Sequence, residues 1–580
     1  MCDLVVVALP GVQRLISEAR STADVQAGSA IVAHLATAAA GSIQGQDRSR
    51  LVIPHQIGEP DGMPNRVVAL VPNGRGEPIA QDAVAVVKQE WQKLLDSVFG
   101  SARPTPGMPI AVWVCVPDGD GRGYEWQWAR AQALLTARRR VRDFAEVQRW
   151  PQRAICTLSP RWPAEEVPPP NLKPHEQATL SATNWVRRRW PRIQNVDRFP
   201  STPSIASAPF RQEVLKRAAK PEISTAITAL RQAVTKLGLP GERQIRGLSM
   251  PAGSGEAVRW FARSGGPWVY LERWQPQILG RDTGRDAAEF HALAAEGRTA
   301  LEQLRAAAKK HGVPGPPTSY LAIVVQDLDG MGGFLNGEVC NAANTTLDVD
   351  PDVHRGVSGR LGALATAQRG ELRGSALLGV PVYIGGDDLL AFTPALTALD
   401  AAQRCHDRIP PELPRASTAV LFFHYQSGLQ SALTRAREML ETAKEQVPGK
   451  HGLAVGYLRR SGAHDLSVLP WVQPNGQSAV ELFRVFGRDA VHPMSPRLVA
   501  DLQRDADELD ALSRRDSELH GAELTRLVRR HLGGEETGRA EAAKPVAAAL
   551  LELGTGRELV GATRIGVFLR QEAAQKGWGR

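Results

Sequence analysis

Val382-Tyr383-Ile384-Gly385-Gly386-Asp387-Asp388-Leu389-Leu390-Ala391-Phe392 is the stretch whose reading decides the fold. Two apolar runs flank a Gly-Gly-Asp-Asp tip, which reads as a β-hairpin because tight turns take glycine and aspartate. The tip sets two carboxylates where glycines let a backbone or a phosphate come close. Upstream, Asp327-Leu328-Asp329-Gly330-Met331-Gly332 closes the β-type run at 320–326. A ferredoxin-like sheet would bring that acidic strand end beside the hairpin, so that three carboxylates converge. Such a cluster suits magnesium or manganese, hard cations commonly held by one or two carboxylates plus water and substrate phosphates. Asp327 and Asp388 are the expected principal metal ligands, and Asp387 is either a third ligand or the residue that shapes the turn. Nucleotidyl transfer needs this chemistry, because paired divalent ions activate the attacking oxygen and stabilise the departing pyrophosphate. The catalytic candidates are therefore Asp387, Asp388 and Asp327. The bland alternative for the tip alone is a solvated turn, and Asp329, before Gly330, reads as a turn former rather than a ligand.

Outward from the hairpin the order is strand 320–326, helix 352–372, strands 380–384 and 389–392, helix 395–407 and strand 418–423. A helix at 429–446 and a strand at 453–458 follow. The first six elements are β-α-β-β-α-β, the ferredoxin-like order. The same order occurs near the start: strand 4–8, a helical period through Val12, Leu15, Ile16 and Ala19, strands 51–53 and 66–71, helix 80–99 and strand 110–116, then a basic helix at 126–144. Prolines at 163, 168, 169 and 170 interrupt regular structure. Residues 175–315 read as mainly helical, and beyond 475 helical patterns at 501–514, 522–531, 544–553 and 564–574 form a bundle. The expected class is α+β. Its parts are a first ferredoxin-like domain at 1–155, a helical linking domain at 156–316, a second ferredoxin-like domain at 317–470 and a C-terminal helical bundle at 471–580.

The chain has 580 residues, 43% hydrophobic and 23% charged, which excludes a disordered or fibrous protein and predicts several cores. No stretch reaches the roughly 18 apolar residues of a membrane span and the start lacks a secretory signal, so a soluble cytoplasmic protein with no membrane partner is expected. Five scattered cysteines give no CxxC pair, so neither a disulfide framework nor a cysteine-rich zinc site is expected. With 70 Lys and Arg against 61 Asp and Glu the net charge is +9. Basic residues cluster with tryptophans at Arg138, Arg139, Arg140, Arg142, Arg149 and Trp150, and at Trp185, Arg187, Arg188, Arg189, Trp190 and Arg192. Two readings stay open: arginines gripping phosphates while tryptophans stack on bases, or solvated helix faces with the rings packed beneath. A salt-sensitive RNA contact through Arg187, Arg188 and Arg189 is the expectation.

Taken in order, these pieces resemble the large palm-domain subunit of type III CRISPR RNA-guided effector complexes in its Cmr (III-B) form. Leu9-Pro10-Gly11-Val12-Gln13-Arg14-Leu15-Ile16 is similar to that family's opening palm segment, and Pro64-Asn65-Arg66 to its next landmark. Asp327-Leu328-Asp329-x-Met331-Gly332 resembles an Asp-Gly-Asp-x-Met-Gly element with leucine for the middle glycine, and Gly385-Gly386-Asp387-Asp388 is intact. Downstream, His424-Tyr425 and Tyr457-Leu458-Arg459-Arg460-Ser461-Gly462 resemble the His-Tyr and Lys-Arg-Ser-Gly elements. The resemblance implies two nucleotidyl cyclase-like palms meeting at a pocket where ATP is polymerised to cyclic oligoadenylate once the guide RNA has captured a target RNA. Other Cmr-type subunits are the implied partners. It also implies that Gly385 and Gly386 approach the nucleotide and that Arg459 and Ser461 contact its phosphate or ribose. Many family members begin with an HD nuclease domain, whereas here the first palm motif starts at once, so no DNase is expected. His406-Asp407, in a helix, and His464-Asp465, in a loop, read as structural or surface features. Where the family often carries a zinc-binding cysteine cluster, Cys156-Thr157-Leu158-Ser159 has no partner cysteine nearby, and zinc is not expected. Gln426 stands where a lysine is common. Two other readings are a silent scaffold that binds guide RNA, target RNA and partner subunits, and a stand-alone GGDEF-type cyclic dinucleotide synthase, which would need only one catalytic domain.

Overall fold

Valines at 5, 6 and 7 form an unbroken apolar run, as expected of a strand covered on both faces, and all three are fully buried at the centre of the first sheet. In the computed structural model, residues 2–58, 62–105, 107–118, 121–141, 154–488 and 492–572 are described. The first domain runs β1 (Cys2–Ala8), α1 (Val12–Ser17), α2 (Thr22–Gln44), β2 (Arg50–Ile53), β3 (Arg66–Pro72), α3 (Gly76–Phe99), β4 (Val112–Val116) and α4 (Gly123–Arg140). Its sheet has the order β2-β3-β1-β4, antiparallel throughout, which is the ferredoxin-like arrangement. Strand alternation sends Val5, Val7, Val67 and Ala69 toward α2 and α3. Leu4, Val6, Val68 and Val114 face α4 through Trp128, Ala131 and Leu135.

Helices α5 (Ala182–Ile193) through α11 (His291–Lys310) form the middle region. The second sheet is built from β5 (Tyr320–Leu328), β6 (Val380–Gly385), β7 (Asp388–Pro394), β8 (Ala416–His424), β9 (Gly452–Leu458) and β10 (His464–Pro470), in the order β10-β9-β8-β5-β7-β6. Leu321, Ile323, Val325, Leu390 and Leu421 pack against α15 (Leu429–Gln446) and the middle helices. The opposite face, with Val324, Leu389 and Val420, packs against α13 (Pro351–Arg373), α14 (Ala398–Asp407) and the C-terminal helices from α16 (Ala479–Arg488) to α21 (Gly556–Gln571).

Two readings of the sequence are corrected here. His464-Asp465 lies in edge strand β10, not a loop. The inward positions of that strand are Asp465, Ser467 and Leu469, so its polarity pattern conceals it. Asp465 is buried because Arg459 Nε stands 3.4 Å from one carboxylate oxygen and Arg564 donates to the other at 3.1 Å.

The arginine-tryptophan helix α5 is neither an RNA face nor a solvated one. Trp185 and Trp190 are buried in the α2–α3 core. Arg187, 1% exposed, donates to the Leu15 carbonyl at 2.6 Å; Arg188 pairs with buried Asp24 at 3.0 Å, and Arg189 with Glu176 at 3.3 Å. Arg187 and Arg188 hold the helix onto the first domain and Arg189 ties it to the segment just before it, while Arg192 alone of the run is exposed. Arg142, Arg149 and Trp150 lie outside the described residues. Replacing Arg187 by Ala leaves a buried carbonyl unpaired, so thermal unfolding should show a loss of about 2 kcal/mol, while the salt dependence of RNA binding stays as in wild type.

A second polar contact ties α14 to the turn before β9. The Nε2 atoms of His406 and His451 lie 2.9 Å apart, and His406 stacks on buried Trp471 with centroids 4.0 Å apart. Burial lowers both imidazoles, and His451, also opposed by His406 and Arg415, falls to about 4. Unfolded histidines take up protons below about pH 6.5, whereas this pair resists, so its stabilisation is complete above that pH and is lost as pH falls toward 4. On the order of 2 kcal/mol should disappear across that window, and His406→Leu should show a shallower acid slope in thermal melts.

Candidate active site at the seam between the palms

Asp327 is the penultimate residue of β5, and its direct partners across the sheet are Asp388 on β7 and Ser417 on β8. Directly opposite residues of antiparallel strands share a face, so the two carboxylates meet on the side covered by α15. The hairpin that carries Asp388 turns at Gly386, whose φ of +62° suits glycine. The Leu328 N–H donates to the Asp387 carbonyl at 3.1 Å and fastens the tip to β5.

Crowding three acids has an electrostatic consequence. Burial, then the charges of Asp387 and Asp327, then a hydrogen bond with Asp327 push the Asp388 carboxyl well above the usual carboxylate range. Burial and Asp327 raise Asp387 to about 6. The site thus works against its own negative charge, the condition a bound cation relieves. Among the described residues, however, no three His, Cys, Asp or Glu side chains surround one metal position. The sheet pairs Asp327 with Asp388, while Asp387 sits in the turn, outside the strand register. The three acids thus lie near one another, Asp327 and Asp388 as a direct cross-strand pair and Asp387 alongside in the turn.

Cations surround this pair, and of them only Arg66 stood in a motif, which assigned it no role here. Lys444, in the last turn of α15, places Nζ 2.9 Å from Asp327 Oδ2 and 2.9 Å from Glu441 Oε1. Burial alone would lower this ammonium, but Asp327 and Glu441 outweigh it and raise its pKa. Arg437, two turns earlier on α15, donates to the Gln13 carbonyl at 3.3 Å and lies within electrostatic reach of Asp388. From the first palm, Arg66 donates to Gln132 at 2.6 Å, stacks over Trp128 and lies within reach of Asp387; burial, then Arg139, lowers it to about 10. The signal for Lys444 was topological. β8 runs away from Asp327, so the helix after it must run back and end over that strand end.

Asp329 is no ligand, in keeping with its position before Gly330. Its carboxylate accepts the Ser417 hydroxyl at 2.8 Å and the His451 N–H at 2.9 Å. Gly385 and Gly386 line a cleft of about 660 Å³ between the palms, with His55 and Pro64 on one wall and Ser358, Gly362 and Arg369 on the other. The seam is close. His55 N–H donates to Ser358 Oγ at 2.9 Å, Arg50 pairs with Asp352, and Tyr124 Oη lies 2.9 Å from His354 Nδ1.

Arg459 and Ser461 are not brought to this site. β9 runs parallel to β8 with Leu458 beside Phe423, whereas Asp327 lies beside Ser417 at the other end. Six residues of strand separate the two ends by about 20 Å. Arg459 instead pairs with Asp465, and Ser461 is exposed in the β9–β10 turn. His424, Tyr425 and Gln426 share that far end; the Gln426 side chain donates to Tyr425 Oη at 3.3 Å. Cys156 is buried, and its Sγ accepts from the Asn184 amide at 3.2 Å. Burial would raise this thiol, but N–H groups of Ser181, Leu158, Asn184 and Ser159 outweigh it and draw its pKa down. All five cysteines are free.

Residues 320–454, which carry every acid of the site, match the second palm domain of Cas10/Cmr2, and residues 4–96 match the N-terminal region of CRISPR-associated protein Cmr2. Two separate stretches of the chain are thus similar to Cas10/Cmr2 proteins. The chain is 32% identical over 196 residues to the CRISPR system Cmr subunit Cmr2 of Pyrococcus furiosus, a match covering 30% of this chain and 21% of that protein. The matched stretch is thus about a fifth of that relative's length. The likeness of fold extends further. A type III-B Cmr-β structure in the apo state aligns over 98% of this chain and 81% of the other, at TM-score 0.61 and 13% identity. Cmr-β bound to cognate target RNA aligns over 97% and 83%, at TM-score 0.58 and 13% identity.

Proposed function

We propose that this chain is the large subunit of an RNA-guided type III effector and joins ATP molecules into cyclic oligoadenylate when target RNA is bound. The observation that carries the reading is the direct pairing of Asp327 with Asp388 beside a Gly-Gly turn at the seam of two palms. The donors fit magnesium or manganese, being hard carboxylate oxygens, and the raised pKa values of Asp387 and Asp388 mark a deficit of positive charge beside them. Asp327 and Asp388 would hold the metal, with Asp387 in support. Bound there, a divalent ion supplies activation of the attacking hydroxyl and charge neutralisation at the phosphates.

The chain's own groups do the rest. Lys444 and Arg437 give the triphosphate a cationic wall, and the Gly385-Gly386 backbone admits it without side-chain interference. Arg66 brings a first-palm charge to the same tip. The palms are clamped at the seam, so a nucleotide at the Gly385-Gly386 turn lies beside both. Guide RNA, target RNA and other Cmr-type subunits are the proposed partners, and among the described residues no helix is long and apolar enough to cross a membrane.

The test is product analysis by mass spectrometry of the assembled complex with ATP, magnesium and cognate target RNA. Cyclic adenylates are expected only with all three present. The silent-scaffold reading draws on Lys444, which occupies Asp327 with an internal cation, and it prevails if RNA binding is normal and no adenylate forms. A cyclic dinucleotide made by the isolated chain without RNA would favour the stand-alone synthase.

A further inference from the structure

Tyr383 stands two residues before the Gly-Gly turn. Its cross-strand partner is Leu390, and that of Gly385 is Asp388. Leu390 and Asp388 are two residues apart on one strand and share a face, so Tyr383 lies on the carboxylate side as the diagonal neighbour of Asp388, within reach of a long side chain. Gly385, between Tyr383 and the tip, has no side chain to block it. The phenol extends toward the turn, and Oη comes 3.9 Å from where a Cβ on Gly386 would stand.

Burial, then the charges of Asp388 and Asp387, raise this phenol far above its ordinary pKa. It therefore stays an O–H group, able to donate. The hydroxyl is electrostatically coupled to both carboxylates and hydrogen-bonded to neither, and it makes no hydrogen bond among the described residues. A half-buried donor on the face of Asp388 and beside the Gly386 turn stands next to the place that a group held by those acids would fill.

We propose that Tyr383 contacts the substrate, its hydroxyl donating to a phosphate oxygen of the bound nucleotide. This rests on the nucleotide-binding reading above. Phosphate is the part that must lie beside the carboxylates if a cation bridges the two, whereas base and ribose extend away. The hydrogen bond orients the phosphate and moves no proton.

Tyr383→Phe removes the hydroxyl and keeps the ring. In the assembled complex with target RNA, the KM for ATP should rise about tenfold with kcat within twofold. That is about 1.4 kcal/mol, the size of one hydrogen bond to a charged acceptor. Calorimetry with a non-hydrolysable ATP analogue should show the same loss, and adenosine none. Unchanged KM and analogue affinity would overturn the proposal, as would an equal loss for adenosine, which would put the contact on base or ribose. A wild-type complex that binds the analogue yet forms no adenylate would defeat the synthase reading and leave the calorimetric comparison intact.

Discussion

Asp388→Asn should reduce cyclic oligoadenylate formation about a thousandfold, the loss expected when a group that stabilises transition-state charge is removed, while target RNA binding stays at the wild-type level. Its second effect has the opposite sign. Asp388 is held against burial and two like charges, so an amide of the same shape relieves repulsion and should stabilise the chain by about 1 kcal/mol. Asp327→Asn should abolish product equally but destabilise, because half-buried Lys444 loses the carboxylate 2.9 Å from its ammonium and keeps only the exposed Glu441. Thermal melts of the two variants, run beside the product assay, separate the roles. Equal activity loss with opposite stability shifts is the expected pattern, and retained product in either variant would remove that residue from the site.

The second large effect is expected at Gly385. A methyl group there would stand 2.5 Å from the Gly62 carbonyl oxygen and 2.8 Å from its carbon, both backbone atoms of the first palm. Neither can swing aside as a flexible side chain would, so Gly385→Ala must push the palms apart or bend the hairpin. Overpacking of this kind costs about 1 to 3 kcal/mol, and a shift of 1 Å at the reacting centre costs about a hundredfold in rate. Product should therefore fall about a hundredfold with a lowered melting temperature. Gly386→Ala makes a useful contrast. Its nearest neighbour would be Tyr383 Oη at 3.9 Å, so its penalty comes from the φ of +62° and not from the seam.

Both palms were legible because their central strands are short unbroken apolar runs and their turns are marked by glycine and aspartate, signals local to a few residues. The pairing of Asp327 with Asp388 followed from element order, since a ferredoxin-like sheet places the first strand beside the third. What lay beyond local pattern was misread for identifiable reasons. Arg187 looked like a phosphate ligand because composition does not distinguish an arginine facing solvent from one donating to the Leu15 carbonyl inside a core. Arg459 and Ser461 were grouped with the carboxylates by motif order, but β9 runs parallel to β8 and carries them to the opposite end of the sheet. Strand β10 was hidden because Asp465 and Ser467 occupy its inward positions, paired or packed where apolar residues are usual. Lys444 carries no motif at all; its role comes from where a returning helix ends.

The most direct measurement is a structure of the complex with manganese and a non-hydrolysable ATP analogue, with the ion placed by its anomalous signal. A cation about 2.1 Å from oxygens of both Asp327 and Asp388, with Lys444 moved off Asp327 toward the phosphates, is the predicted result. Bound nucleotide with the Lys444–Asp327 pair intact and no ion between the carboxylates would contradict the account.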